Sequence, residues 1–174
     1  MRRRREAILE AARTELGEDP TAGLGRIAER AGVHRATLHR HFRTREDLLS
    51  VLFGRYIDEV AARLDAVDED DPATELTVMT RVCLRVNVRY HVFAWAPVVP
   101  TREHSALRRG IERMLAAVER AQAAGVLRRD IPADQLRLAW GTPLPFLAGR
   151  VAAGTMTEDE AVTFSLQLLR PPAG

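Results

Sequence analysis

The chain has 174 residues, 46 % of them hydrophobic and 29 % charged, so it can bury a core and has the composition of a globular protein. No apolar run approaches the roughly 20 residues of a membrane span, and no apolar run follows the N-terminal arginines as in a secretory signal. The single cysteine, Cys83, cannot form an internal disulfide, and its apolar neighbours predict a buried packing thiol. These features favour a cytoplasmic protein that does not bind a membrane.

Charge is unevenly distributed along the chain. Residues 1–55 contain 12 arginines and 8 acidic residues, a net charge of +4, whereas residues 56–174 contain 14 arginines and 16 acidic residues, a net charge of −2. Such asymmetry is typical of a nucleic-acid-binding segment joined to a body that does not bind nucleic acid. The four arginines at 2–5 are either an arm that contacts DNA or a solvated terminus.

The first predicted helix covers residues 6–16, where apolar residues recur at three- or four-residue spacing. Two short helices follow between Leu24 and Phe42, joined by a tight turn at Gly32, which lacks a Cβ and turns most easily. The second of them is too short to be stable alone. It is rich in side chains that donate hydrogen bonds, which is the pattern of a helix-turn-helix whose second helix enters the DNA major groove.

The remaining residues predict helices only, so the fold class is all-α. A long helix begins with the capping-box pattern of Thr44 and Asp47 and runs to about Val67. Further helices are expected at about 73–94, 101–124, 133–153 and 157–169. The third of these should restart near residue 142, with Thr142 as its cap, because prolines follow at 143 and 145. We expect a helix-turn-helix domain at 1–46 and a helical effector-binding and dimerisation domain at 47–174.

The order of these motifs resembles the tetracycline-repressor (TetR) family of bacterial transcription regulators. The resemblance is dense from about residue 8 to residue 52, in the stretches Ile8–Ala12, Ile27–Val33, Thr37–Phe42 and Arg45–Leu49. It implies an N-terminal DNA-binding domain, a ligand-responsive repressor, and a homodimer on an inverted-repeat operator. Beyond residue 60 the resemblance is architectural, with a helical effector domain whose last two helices usually form the dimer.

The chain departs from the family pattern at three positions. His39 stands where the family commonly has a tyrosine that contacts a phosphate, and Arg45 stands where lysine is common. Gly23 occupies the place of a serine or threonine that caps the second helix and touches a phosphate. Thr21 is a nearby substitute for that missing hydroxyl.

The predicted DNA contacts follow from the recognition helix. Arg35 is the expected base contact, because its guanidinium fork matches O6 and N7 of guanine. The expected phosphate contacts, which position the protein without reading sequence, are Thr37, His39, His41 and Arg45. The full set of predicted DNA-binding residues is Thr21, His34, Arg35, Ala36, Thr37, His39, Arg40, His41 and Arg45.

Two further sites are expected in the C-terminal domain. The middle helices should enclose a mainly apolar effector pocket, although each of its residues has simple core packing as the alternative. Its candidate residues are Val86, Asn87, Tyr90, His91, Phe93, Trp95, Met114, Val118 and Trp140. Residues 133–169 should form a two-fold dimer interface that includes Leu136, Trp140, Phe146, Leu147, Val162, Phe164 and Leu168.

Enzymatic functions are not expected. His39 and His41 point to opposite sides of a helix, and His34 and His41 lie about 10 Å apart along its axis, so they cannot share a metal. The sequence has neither a nucleophile with a placed base nor a phosphate-binding glycine loop, so no cofactor is predicted. The alternative to a DNA-binding regulator is a helical ligand-binding or adaptor protein that has lost specific operator binding.

Overall fold

The structure is a computed structural model that describes residues 2–90 and 104–171. Within these residues the chain forms nine α-helices and no strand, which confirms the predicted all-α fold. The helices are α1 (Arg2–Glu18), α2 (Leu24–Arg30), α3 (Arg35–His41), α4 (Arg45–Asp65), α5 (Pro72–Arg89), α6 (Ser105–Ala123), α7 (Ala133–Gly141), α8 (Leu144–Ala152) and α9 (Glu158–Gln167).

The N-terminal core is formed by α1, α2, α3 and the first half of α4. The predicted apolar faces of the first three helices meet there, and Leu48, Leu49 and Leu52 of α4 complete it. This core therefore continues past residue 46, where the sequence suggested a boundary. Its other fully buried large side chains are Ile8, Leu9, Leu16, Ile27 and Leu38.

The four N-terminal arginines belong to α1, which begins at Arg2 rather than near residue 6. Their backbone is helical, so they do not form an extended arm. The guanidinium of Arg5 lies over the ring of Phe42, 5.5 Å from its centroid, at the end of the recognition helix. The first turn of α1 is therefore held beside α3.

The turn between α2 and α3 depends on Gly32, whose φ of +63° lies in the left-handed region. The Gly32 N–H donates to the Glu29 carbonyl and the Val33 N–H donates to the Ala28 carbonyl, both at 3.0 Å. This pair of bonds is a Schellman motif, which closes a helix and satisfies its last carbonyls. The sequence prediction of a tight turn at this glycine is confirmed.

Ion pairs fasten α2 to α1. Glu15 is only 3 % exposed, and its carboxylate lies 2.7 Å from Arg26 Nη2 and 2.5 Å from Arg30 Nε. Arg30 also pairs with Glu18. These two arginines of the helix-turn-helix therefore neutralise a buried carboxylate rather than adding to the charge available for DNA.

The C-terminal domain packs α5 to α9 and the second half of α4 around a separate core. Trp140 lies at its centre, fully buried, and its indole N–H donates to Thr80 Oγ1 at 2.9 Å. Thr80 in turn donates to the Leu76 carbonyl at 2.6 Å, so both polar groups are satisfied. Cys83 is buried in the same core, and burial raises the pKa of its thiol to about 12. The prediction of a packing thiol is confirmed.

A buried charge cluster joins α5 to α6. Glu75 is 2 % exposed, and its carboxylate lies 2.6 Å from Arg113 Nη1 and 2.5 Å from Arg120 Nη2. Arg113 also donates to the Val67 carbonyl at 2.9 Å. Burial raises the pKa of Glu75, but the two guanidinium groups outweigh it and lower the pKa overall. The cluster therefore stays charged at neutral pH.

The helix predicted at 133–153 is interrupted where expected. Helix α7 ends at Gly141 and α8 begins at Leu144. Thr142, however, does not cap the new helix, because its backbone is helical and its N–H donates to the Leu138 carbonyl at 2.9 Å. Pro143 precedes α8, so the predicted role of Thr142 is wrong.

Two features are absent from residues 2–90 and 104–171. No helix there is long and apolar enough to cross a membrane. No group of three or more histidine, cysteine, aspartate or glutamate side chains is placed to hold a metal ion.

Candidate nucleic-acid interface

The recognition helix α3 presents one side to solvent and one to the core. Leu38 is fully buried and anchors the helix, and Phe42 directly after it is 2 % exposed. Thr37 and His41 are half-buried at the edges. The predicted groove-facing residues His34, Arg35, Ala36, His39 and Arg40 are all exposed.

Arg35, the predicted base contact, lies at the first position of α3. Its guanidinium rests on the start of α2, where a Cβ built on Gly25 would lie 3.6 Å from Arg35 Cζ. The guanidinium is thus held beside the first turn of α2. No side chain caps the N-terminus of α3, where the flanking residue is His34.

The loop between α1 and α2 is fastened by Asp19. The Thr21 backbone N–H and hydroxyl donate to Asp19 Oδ1 at 2.9 Å and 2.6 Å, and Arg26 Nη1 lies 3.0 Å from Asp19 Oδ2. The Thr21 hydroxyl and N–H lower the pKa of this carboxyl. Thr21, a predicted DNA contact, is exposed but already donates its hydroxyl proton inside the loop.

Arg45 has an intramolecular partner that the sequence did not indicate. Its Nη2 donates to the Pro20 carbonyl at 2.5 Å, which ties the start of α4 to the α1–α2 loop. Gly23, at the N-cap of α2, makes no side-chain capping bond. The bond between Arg45 and Pro20 could not be predicted from local sequence patterns, because it joins residues 25 positions apart.

The end of α5 packs into the N-terminal core. Val86 and Tyr90 are 2 % and 7 % exposed and lie among the apolar residues of that core. Arg13 of α1 donates from Nη1 to the Arg89 carbonyl at 2.8 Å. In this structure both side chains pack at the junction of the two domains, and their role in lining an effector pocket stays a prediction.

Asn87 connects this junction to the C-terminal core. Tyr56 donates its hydroxyl proton to Asn87 Oδ1 at 3.2 Å, and Asn87 Nδ2 donates to the Cys83 carbonyl at 2.8 Å. The Tyr56 and Tyr90 rings lie 5.7 Å apart. Burial raises the pKa of Tyr56 to about 12. Asn87 is 4 % exposed, and the oxygen and the nitrogen of its amide both form hydrogen bonds within the chain.

The other described pocket candidates belong to the C-terminal core. Val118 and Trp140 are fully buried in the C-terminal core, and Met114 packs against that core. His91, Phe93 and Trp95 lie outside the described residues. The described apolar members of the predicted set therefore lie in two cores, with Val86 and Tyr90 in the N-terminal core and the others in or against the C-terminal core.

The predicted dimer residues separate into buried and exposed groups. Leu136, Trp140, Leu147 and Val162 are at most 4 % exposed within a single chain, so their predicted role in an interface is wrong. They face the chain's own core and leave no surface for a partner. The exposed large apolar residues of α7 to α9 and the turn after α9 are Leu138 (53 %), Phe146 (56 %), Phe164 (46 %) and Leu168 (57 %).

Together, α1, α2 and the exposed, arginine-bearing α3 define a helix-turn-helix DNA-binding domain, joined by α4 to a helical bundle. Residues 8–52 match the sequence family described as bacterial regulatory proteins, tetR family. The match is confined to the N-terminal domain, where the sequence motifs resemble the same family.

Similar proteins are known from bacteria. Over 72 residues the chain is 43 % identical to the HTH-type transcriptional repressor LfrR of Mycolicibacterium smegmatis, a match that covers 41 % of this chain and 36 % of the relative. The crystal structure of LfrR in complex with proflavine has a TM-score of 0.74 at 24 % identity, covering 95 % of this chain and 94 % of that one.

The regulator PfmR of Thermus thermophilus has a TM-score of 0.75 at 20 % identity, covering 96 % of this chain and 99 % of that chain. At these identities the two structures support the fold alone. The functional assignment of the whole chain therefore depends on its own residues.

Proposed function

We propose that this protein is a transcriptional repressor that binds double-stranded DNA with α3 in the major groove. The observation that carries the proposal is the exposed face of α3, with Arg35, His39 and Arg40 held outward while Leu38 anchors the helix in the core. Arg35 reads a guanine, and His39 and Arg40 contact the groove edges or phosphates. His41 lies at the rim of the same surface.

The protein binds an inverted-repeat operator as a homodimer. One seven-residue recognition helix makes few base contacts, and two copies related by a two-fold axis double them. The exposed apolar side chains Phe146, Phe164 and Leu168 support an interface on α8 and the end of α9. Apolar surface of this kind favours contact with a second copy over exposure to water.

A small, mainly apolar effector releases the protein from DNA. The similar protein LfrR was crystallised with proflavine, which supports a small-molecule effector of the C-terminal domain. Two elements connect the domains among the described residues. Helix α4 contributes side chains to both cores, and the end of α5 packs into the N-terminal core. A shift of either helix changes the separation of the two recognition helices.

The test of this function is selection of duplex DNA from a randomised pool by the full-length protein. We expect an enriched inverted repeat whose binding weakens steeply with salt. A variant with Arg35, His39 and Arg40 all changed to alanine should recover no enriched sequence. Recovery of no enriched duplex by the unmodified protein would favour the alternative, a helical ligand-binding or adaptor protein.

The dimer interface gives a separate prediction. Phe146→Glu should convert the dimer to a monomer at micromolar concentration, because two-fold symmetry brings the new charge into the apolar contact twice. Light scattering coupled to gel filtration measures the mass. Ile111→Glu is the matched control, since Ile111 is a 37 %-exposed apolar residue on α6, outside the predicted interface, and should leave the dimer intact. A dimer that survives Phe146→Glu would place the interface elsewhere.

A further inference from the structure

We propose that Asp19 and Arg45 are positioning residues for DNA binding, which together hold the α1–α2 loop (residues 19–23) and set α2 and α3 in their binding geometry. Asp19 acts from within the loop and Arg45 from the start of α4. The inference rests on the DNA-binding function proposed above and assigns Arg45 a different role from the phosphate contact that the sequence suggested.

The start of α2 needs an external restraint. This helix has seven residues, and its N-cap residue, Gly23, supplies no side-chain hydrogen bond. By contrast, the N-cap side chains of α4, α5 and α9 (Thr44, Asp71 and Thr157) each accept a backbone N–H. An uncapped helix of this length is not stable by itself. The core packing and the ion pairs to α1 hold the rest of α2, so the preceding loop matters for the position of its N-terminus.

Asp19 supplies the restraint from inside the loop. Its two carboxylate oxygens accept the Thr21 backbone N–H, the Thr21 hydroxyl and the Arg26 guanidinium. The Ala22 N–H donates to the Asp19 carbonyl at 3.0 Å. One residue thus connects the end of α1, the loop and the first turn of α2.

Arg45 supplies the restraint from outside. It is the first residue of α4, where the helix dipole disfavours a cation, and the acidic Glu46 and Asp47 beside it fit that end better. The 2.5 Å bond from its Nη2 to the Pro20 carbonyl accounts for an arginine at this place. Because Thr44 and Asp47 form a capping box, the start of α4 is rigid and the loop is tied to a fixed point.

The loop in turn affects the residue that reads the base. Gly25 lies two residues beyond the loop, and the Arg35 guanidinium rests on it. A displacement of α2 therefore moves the surface against which Arg35 is held. Loss of the loop contacts should reduce the preference for a specific sequence more than the general attraction to DNA.

Asp19→Ala removes the charge and both acceptor oxygens, and it separates positioning from simple electrostatics because the two predict opposite changes in affinity. Removing a negative charge near DNA tightens binding to every duplex if charge alone matters. If Asp19 positions the loop, binding to the duplex selected from the randomised pool weakens about fivefold, since the net contribution of one hydrogen bond is about 1 kcal/mol. Equal tightening on the selected duplex and on random-sequence duplex would overturn the proposal.

Arg45→Met tests the outer contact, with Arg43→Met as a charge-matched control. Arg43 is an exposed arginine two residues earlier. We expect Arg45→Met to lower the ratio of affinities for selected and random duplex about fivefold. Arg43→Met should weaken both duplexes alike, as loss of a phosphate contact does. A uniform loss with Arg45→Met, and a salt slope reduced by about 0.9, would make Arg45 a phosphate contact instead.

Hydrogen exchange of the free protein provides a readout without DNA. Both Asp19→Ala and Arg45→Met should accelerate exchange of the backbone amides of residues 19–25 and leave those of α5 to α9 unchanged. Unchanged loop exchange in both variants would overturn the positioning role alone. Failure of the unmodified protein to select any duplex would instead overturn the proposed function, and with it the consequence for DNA.

Discussion

Arg35→Ala should weaken binding to the selected duplex by about tenfold to a hundredfold, because one bidentate arginine–guanine contact contributes about 1–3 kcal/mol of discrimination. Binding to random-sequence duplex should change little, since a base contact is not made there. Arg35 is exposed at the start of α3, so its removal leaves the packing of Leu38 intact. Fluorescence anisotropy with both duplexes at several salt concentrations measures the two affinities.

The control for Arg35→Ala is Arg63→Ala. Arg63 is an exposed arginine near the other end of α4 that pairs with Glu59 at 3.0 Å. Its removal changes the net charge equally but should leave both affinities close to those of the unmodified protein. If Arg35→Ala weakens both duplexes by the same factor, Arg35 contacts the phosphate backbone and reads no base.

Glu75→Gln should destabilise the protein by about 3 kcal/mol at neutral pH, because it leaves Arg113 and Arg120 without the carboxylate that they share. Since the pKa of Glu75 is lowered in the folded chain, its stabilisation is complete above the ordinary carboxyl pKa. It is lost as the pH falls through the lower folded value. The difference between the two proteins in urea unfolding should therefore shrink on acidification.

The matched control is Glu158→Gln, the same chemical change at a more exposed pair of arginines. Glu158 is 29 % exposed and lies 2.8 Å from Arg81 and 2.9 Å from Arg85. Water screens this cluster, so the loss should stay below about 1 kcal/mol. Equal losses for the two variants would show that the buried cluster contributes no more than a surface one.

Local features of the fold could be predicted from neighbouring residues. The capping box of Thr44 with Asp47 is present as expected, since it needs only a hydroxyl and a carboxylate three residues apart, and Thr157 and Glu160 form a second one of the same spacing. The turn at Gly32 and the break after Gly141 follow in the same way from glycine and proline chemistry. The exposed residues of α3 follow from its helical period.

The partners of individual side chains required the folded chain. Periodicity marks Val86 and Tyr90 as inward-facing but cannot say which of two cores they enter, and both enter the N-terminal one. In the last helices, periodicity likewise does not say which apolar residues face the chain's own core and which stay exposed. Phe146 is exposed, whereas Leu147 beside it is buried.

The difference between what the sequence predicts and what the folded chain decides is largest in the DNA-binding domain. The residue types and their helical spacing were sufficient to predict the helix-turn-helix and its exposed basic residues, because those properties depend on neighbours within a few positions. The bond from Arg45 to the Pro20 carbonyl and the packing of Arg35 on Gly25 depend on how separate helices meet. That arrangement is set by the burial of apolar faces across the whole domain, which sequence spacing does not specify.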